Sequence, residues 1–279
     1  MIPATDRSPI RSVHRDFARL TRCPQRPDSS FDRKPHRKLV NLYESAALLN
    51  QYLLFHYGSP DEIGPPPSSP ARALQFPIET AALAPSRPHR GRALDLGCAV
   101  GRSSFELSGT FAEVVGIDYS QAFIEAAEVI RTTGSLGYER LDEGHQTTSL
   151  TARRPTGSQP DRISFRVGDA TALPTDLGTF DLVHAANLIC RLPDPAALLS
   201  RLPSLVNSGG NLVLTTPCTW LGEFTPPESW PDKPTLDWLG DHLSAQFSLQ
   251  RTCDLPLLIR ETSRKFQWTT AQASLWERR

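Results

Sequence analysis

Residues 93–104 read ALDLGCAVGRSS, and this stretch decides the fold. The apolar run 92–96 ends in Gly97, a tight turn follows, and Gly101 opens a helix that runs to Ser108. A short apolar run ending in glycine predicts a buried strand. The strand–turn–helix brings backbone N–H groups and a helix start up to a ligand. Downstream, EVVGID (113–118) predicts a strand and 120–132 a helix. RISFRVGD (162–169) and FDLVHAAN (180–187) predict strands, 195–206 a helix, and NLVLTTP (211–217) a fifth strand. Strands apolar on both faces, alternating with helices, predict an α/β, Rossmann-like fold with a mostly parallel sheet and helices on both faces. DLPLLIRE (254–261) and KFQWTTAQASLWE (265–277) are joined by only a few residues. So short a link permits an antiparallel pair and excludes a parallel one, so the sheet ends in a C-terminal hairpin.

Asp118 ends the second strand, 21 residues after Gly97, where a carboxylate can accept both hydroxyls of a ribose. A dinucleotide loop needs G-x-G-x-x-G, but here the spacing is Gly97-x-x-x-Gly101. Asp95, two residues before the first glycine, repels a pyrophosphate and suits an ammonium. Gly168-Asp169-Ala170 closes the third strand, and Asp169 can accept from an adenine amino group. A ligand carrying ribose, adenine and ammonium is S-adenosylmethionine. The candidate cofactor contacts are therefore Asp95, Gly97, Cys98, Ala99, Gly101, Asp118, Tyr119, Asp169, Ala170 and Asn187.

Around this core the chain divides into three. Of its 279 residues, 30 are Lys or Arg and 30 are Asp or Glu, a neutral balance that argues against a dedicated nucleic-acid binder. The charge is uneven, because residues 1–40 hold 10 Lys+Arg against 4 Asp+Glu. Residues 1–38 read as a basic, mostly disordered arm. Its Ile10, Val13, Phe17 and Leu20 at helical spacing admit mitochondrial targeting as a minor alternative to a cytoplasmic location. Residues 39–90 read as an N-terminal helical cap, with one or two helices over 39–57 stopped by Gly58, a loop over 59–70 and a short helix near 71–84. Residues 91–279 form the core domain, interrupted by a long polar insertion over 133–160 that is either disordered or a cap over the site. No run reaches the ~18 apolar residues needed to span a bilayer. The 5 cysteines include no C-x-x-C pair, so neither a metal site nor a disulfide framework is expected, and the compartment reads as reducing.

The set Asp95/Gly97/Gly101, Asp118 and Asp169 resembles class I S-adenosylmethionine-dependent methyltransferases. That resemblance implies a seven-stranded sheet. It also implies that Asp95 and Gly97 hold the methionine amino group, Asp118 the ribose, and Asp169 with the Ala170 N–H the adenine. After the fourth strand stands AANLICRLPDP (185–195), not the Asn/Asp-Pro-Pro-Tyr signature of base-amino methyltransferases. YLLFHYG (52–58), ALDLGCAVGRSSFEL (93–107), VVGIDYSQAFI (114–124), LVLTTPCTWLGEFTP (212–226) and LIRETSRKFQWT (258–269), with the 185–195 run, are similar to a further group. It is the C-terminal domain of ovothiol-biosynthesis enzymes, which methylates a ring nitrogen of 4-mercaptohistidine. The resemblance spans about residues 40–279. It departs at Cys218, where a tyrosine is usual, and in the shortened stretch 226–234. No stretch here reads as the sulfoxide synthase that usually accompanies such a domain, so the resemblance points to a separate one as partner.

Methyl transfer to a neutral imidazole needs alignment and water exclusion more than a strong base. The candidate catalytic residues are Asn187, His56 and Tyr57, and the candidate substrate contacts are Tyr43, Tyr52, Arg191, Trp220, Arg260 and Lys265. Asn187 ends a strand facing the crevice, Arg260 or Lys265 would clamp an amino-acid carboxylate, and Trp220 would stack on the ring. Two other readings stand beside this one: a methyltransferase for another small molecule, and a non-catalytic S-adenosylmethionine-binding module.

Overall fold

The computed structural model describes residues 42–67, 69–85 and 91–279, so the basic stretch 1–38 and Leu39 lie outside the described residues. Ser45 opens α1 (Ala46–Tyr57) by accepting the Leu48 N–H at 3.3 Å, and Gly58 ends it. The expected loop 59–70 instead contains α2 (Pro60–Ile63). Ser59 and Glu62 form a capping box there: the Glu62 carboxylate accepts the Ser59 N–H at 2.8 Å and Ser59 Oγ the Glu62 N–H at 3.3 Å. The helix expected near 71–84 is broken into a 3-10 turn, Ala71–Leu74, and α3 (Phe76–Ala81). Pro77 has no N–H to continue the ladder between them.

The alternating pattern follows as β1 (Arg92–Leu96), α4 (Arg102–Ser108), β2 (Glu113–Asp118) and α5 (Gln121–Thr133). Of the two expectations for the polar insertion 133–160, disorder does not hold. The insertion forms an antiparallel hairpin, β3 (Ser135–Glu143) and β4 (Gln146–Arg153). Leu136, Tyr138, Leu150 and Ala152 share its inner face and pack with residues of α1 and α5. Then come β5 (Ile163–Val167), β6 (Phe180–Ala186), α6 (Pro195–Arg201), β7 (Val206–Thr216), α7 (Thr235–Leu243), β8 (Phe247–Arg260) and β9 (Phe266–Arg278). α6 stops ahead of Pro203, earlier than expected, and β7 begins at Val206 instead of Asn211. α7 had no counterpart in the sequence reading.

The main sheet has seven strands in the order β5-β2-β1-β6-β7-β9-β8. Pairs among β5, β2, β1, β6 and β7 are parallel, while β9 runs antiparallel to both β7 and β8. Side chains alternate between two cores. Ala93, Val114, Leu182 and Val213 face a layer with Leu53, Phe105, Phe123 and Ile130 from α1, α4 and α5. Leu94, Val115, Val183 and Leu212 face Leu198, Leu239 and Trp276 on the other side. From β1 the chain builds outward through β2 to β5, then crosses back to place β6 on the other side of β1, so the strand order reverses between β1 and β6. Their carboxyl ends therefore frame the crevice where ligands bind in open α/β sheets.

Candidate cofactor and substrate site

The glycine loop bends at Gly97 (φ 69) and Gly101 (φ 86), left-handed conformations that glycine adopts without strain. A Cβ on Gly101 would lie 2.7 Å from the Phe165 ring, so the loop also needs glycine for close packing. Four of the loop's N–H groups are taken up within the chain. Gly97 and Cys98 donate to the Ile117 carbonyl at 2.8 and 3.1 Å, and Gly101 donates to the Cys98 carbonyl at 2.9 Å. Ala99, left-handed at φ 48, donates to Asp118 Oδ2 at 2.8 Å. Cys98 is buried, and burial pushes its thiol well up, away from any nucleophilic role.

Asp118 holds the loop from one side and the start of α5 from the other, because its Oδ1 accepts the Ser120 N–H at 2.9 Å. Burial raises its carboxyl to about 6, against the lowering effect of the two N–H bonds. A carboxylate offers about four lone-pair positions, so acceptor capacity remains for diol hydroxyls. Asp169 uses Oδ1 for the Thr171 N–H and hydroxyl, at 2.8 and 2.7 Å. Its Oδ2 has no partner among the described residues. The neighbouring Ala170 is buried, whereas Tyr119 is 64% exposed and projects from the end of β2.

Asp95 departs from its expected place. Its carboxylate is about 1% exposed and turned into the core, with Oδ2 accepting the Ser104 hydroxyl at 2.6 Å and Oδ1 lying 2.7 Å from His184 Nδ1. Both oxygens are engaged by α4 and β6, so Asp95 braces the loop from beneath and does not face an ammonium.

The segment from Tyr43 to Tyr57 roofs the crevice. The Tyr43 carbonyl accepts the Ser120 hydroxyl at 2.9 Å, and the Glu44 carboxylate accepts the Gln121 and Ala122 N–H groups at 2.9 and 3.2 Å. The Tyr43 ring packs on Tyr52, Phe123 and Phe224, with centroids 6.2, 5.8 and 6.1 Å away. The Arg191 guanidinium lies 4.9 Å over the Phe224 ring. Its Nη1 donates to the Thr219 carbonyl at 3.2 Å, and it has no carboxylate partner among the described residues. Tyr43, Tyr52 and Arg191, all candidate substrate contacts, thus converge above Asp118. Burial raises both phenols, so neither serves as a base.

At the end of β6, Asn187 adopts φ 53. Its N–H donates to the Thr215 carbonyl at 2.9 Å and to the Thr215 hydroxyl at 3.0 Å, and that hydroxyl donates to Asn187 Oδ1 at 3.0 Å.

Five expected site residues are placed elsewhere. Tyr57 donates its hydroxyl to the Val100 carbonyl at 2.7 Å and ties α1 to the glycine loop. His56 sits under α2 and α3 in a pocket with Gln75 and Arg102, and burial, then Arg102, lowers its imidazole to about 3. It is therefore neutral and does not face Asn187's strand end. Trp220 packs edge-on to Trp238 at 5.9 Å and donates to the Thr235 hydroxyl at 3.3 Å, so it anchors α7. Arg260 is buried, donating to the Ile63 carbonyl at 2.8 Å and to Asp142 at 2.7 Å. Lys265 is 71% exposed and pairs with Glu261 at 2.5 Å. Both cations are thus paired with carboxylates of the chain itself.

The geometry defines a nucleoside-binding Rossmann-like protein with a roofed crevice. Residues 72–254 match a family model described as a methyltransferase domain, well over half of the chain, and the chain belongs to this methyltransferase family. It is 30% identical over 152 residues to trans-aconitate 2-methyltransferase of Deinococcus radiodurans, covering 54% of this chain and 44% of that one. It is 27% identical over 187 residues to ubiquinone biosynthesis O-methyltransferase of Xanthomonas axonopodis pv. citri, covering 65% and 64%. The chain thus spans less than half the length of the first of these relatives. Among solved structures, the N-methyltransferase NodS from Bradyrhizobium japonicum WM9 with S-adenosyl-L-homocysteine aligns at TM-score 0.49 and 14% identity, over 82% of this chain and 98% of that one. S-adenosylmethionine is the cofactor, and the residues present fit it: Asp118 and Asp169 keep acceptor atoms at adjacent strand ends beside a tight glycine turn. Among the described residues no helix is long and apolar enough to cross a membrane, and no cluster of His, Cys, Asp and Glu is placed to hold a metal.

Proposed function

We propose that the protein transfers a methyl group to a ring nitrogen of 4-mercaptohistidine, giving ovothiol A. The observation that carries this reading is the Arg191 guanidinium, unpaired by any carboxylate among the described residues and held under the roof four residues beyond Asn187. A cation fixed there suits the carboxylate of an amino acid. The similarity of the runs at 52–58, 185–195 and 212–226 to ovothiol-biosynthesis domains supplies the imidazole thiol.

S-adenosylmethionine supplies an electrophilic methyl when bound. Asp118 accepts the ribose hydroxyls and Asp169 Oδ2 the adenine amino group. Arg191 holds the substrate carboxylate, and the Asn187 carboxamide orients the ring. Tyr43, Tyr52 and Phe224 close the crevice to water. A neutral imidazole already presents a lone pair, so no residue needs to remove a proton before transfer, which fits the absence of a basic His56 or Tyr57 from the strand ends. A separate sulfoxide synthase would deliver the thiol. A second reading, a different small carboxylate, is favoured by the relative named for trans-aconitate.

The test is incubation of the protein with labelled S-adenosylmethionine and either 4-mercaptohistidine or histidine, read by mass spectrometry. A methyl gain on mercaptohistidine with little on histidine is expected, because groups placed for the thiolate are left unpaired by histidine. Equal labelling of both, or of neither, overturns the substrate reading.

A further inference from the structure

Thr215, the next-to-last residue of β7, lies beside Asn187 and is fully buried. Its hydroxyl has one proton and two lone pairs. One lone pair takes the Asn187 N–H at 3.0 Å, and the proton goes to Asn187 Oδ1 at 3.0 Å. This fixes which end of the carboxamide points where. Turning the amide over would put its NH2 against a hydroxyl whose proton then lacks this acceptor, and the Thr215 side chain is itself fully buried. The Nδ2 donors have no partner among the described residues, and they sit on the branch turned away from Thr215. The backbone adds a second constraint. Asn187 is held at φ 53, a conformation few side chains except Asn and Asp adopt readily. Two bonds from its own N–H to Thr215, at 2.9 and 3.0 Å, keep it there.

We propose that Thr215 is a positioning residue that locks the Asn187 carboxamide so that it offers the crevice a hydrogen-bond donor, selecting a substrate that presents an acceptor, such as a thiolate or carboxylate, beside its nucleophile. This rests on the functional reading above for the identity of the substrate, but the lock itself is a property of the chain. A donor beside the nucleophile steadies an anionic handle without quenching the attacking lone pair. A substrate bearing only donors at that position leaves both the substrate and Nδ2 unsatisfied.

The experiment compares Thr215→Val, Thr215→Ser and Asn187→Asp in the full chain, each with S-adenosyl-L-homocysteine affinity and melting temperature measured alongside. Thr215→Val, nearly isosteric, should raise KM for 4-mercaptohistidine about tenfold with cofactor affinity held within twofold, the loss of one oriented hydrogen bond. Thr215→Ser should restore KM to within twofold of the starting protein. Asn187→Asp, which replaces the donor with an acceptor, should lose more than Thr215→Val. A folded Thr215→Val protein with unchanged KM, or a Thr215→Ser protein as impaired as Thr215→Val, overturns the proposal. A second readout needs no substrate: the Asn187 side-chain amide signals in nitrogen–proton NMR should be dispersed in the starting protein and in Thr215→Ser, and move toward free-amide positions in Thr215→Val. If no mercaptohistidine is methylated but these signals shift as stated, the substrate reading fails and the lock stands. If they do not shift, the lock itself is wrong.

Discussion

Asp95 Oδ1 on β1 lies 2.7 Å from His184 Nδ1 on β6, with both side chains about 1% exposed. The Ser104 hydroxyl from α4 completes the set at 2.6 Å. An acidic residue read as a ligand contact thus serves as a fastener between two strands and the helix behind the glycine loop. His184→Leu removes the partner and leaves Asp95 with Ser104 alone in a fully buried site. The expected loss is about 2–4 kcal/mol of stability, from an unsatisfied buried group and an imperfectly filled space. Urea unfolding measures it, and a change below about 0.5 kcal/mol, the range of surface substitutions, would remove the pair from the stability argument.

Asp118 carries a pH dependence with a defined sign. Burial raises its carboxyl from 3.8 to about 6 on folding. A carboxyl raised on folding favours the proton-bound native state, so its contribution is fully present below about pH 4 and is lost as pH rises through about 6. The loss for the ligand-free protein is on the order of 3 kcal/mol. Ribose hydroxyls donate to the ionised form, so cofactor affinity moves the opposite way, weakening about tenfold from pH 7 to pH 5. Calorimetry with S-adenosyl-L-homocysteine at both pH values checks this. Asn at position 118 should flatten the dependence, and an equal slope in Asp118→Asn would assign the titration to another group.

Arg260 and Lys265 separate structure from binding. Arg260 joins the end of β8 to α2 and to the hairpin through Ile63 and Asp142. Arg260→Met should lower the melting temperature by several degrees, since a buried donor set is lost and the Asp142 carboxylate loses one cation. KM for the substrate should stay within twofold. Lys265→Ala should change neither quantity, because exposed ion pairs contribute little. A tenfold rise in KM from either substitution would return that residue to the substrate site.

The sequence was readable wherever a pattern is local. β1, β2 and β6 are short apolar runs ending in Gly97, Asp118 and Asn187, and their ends mark the crevice without any knowledge of the rest. The β3–β4 hairpin escaped notice because Leu136, Tyr138, Leu150 and Ala152 alternate with charged and hydroxyl residues in a mostly polar stretch. The Ser59–Glu62 capping box was a legible signal, masked by the prolines around it. Side-chain direction was not legible. Arg260 finds its partners 197 and 118 residues away, and Asp95 finds His184 89 residues away. Spacing along the chain carries no trace of such pairs. Asn187 and Arg191 could be placed from the sequence because the end of β6 fixes where they stand.

Arg191 is where the functional reading meets its sharpest trial. The guanidinium is oriented by Phe224 at 4.9 Å and by the Thr219 carbonyl at 3.2 Å, so the side chain is arranged before any substrate arrives. Arg191→Met keeps much of the length and the packing on Phe224 but removes the charge. A charged hydrogen bond to a carboxylate contributes about 1.5–3 kcal/mol, so KM for an amino-acid substrate should rise ~10- to 150-fold. The affinity for S-adenosyl-L-homocysteine should stay within twofold, since Arg191 is assigned to the substrate alone. Arg191→Lys keeps the charge but loses the flat fork and its stacking, so it should recover only part of the loss. Initial-rate kinetics with saturating cofactor reads all three proteins. A rise confined to kcat, or an equal loss of cofactor affinity, would move Arg191 from carboxylate recognition to a role in closing the roof through Phe224 and Tyr43.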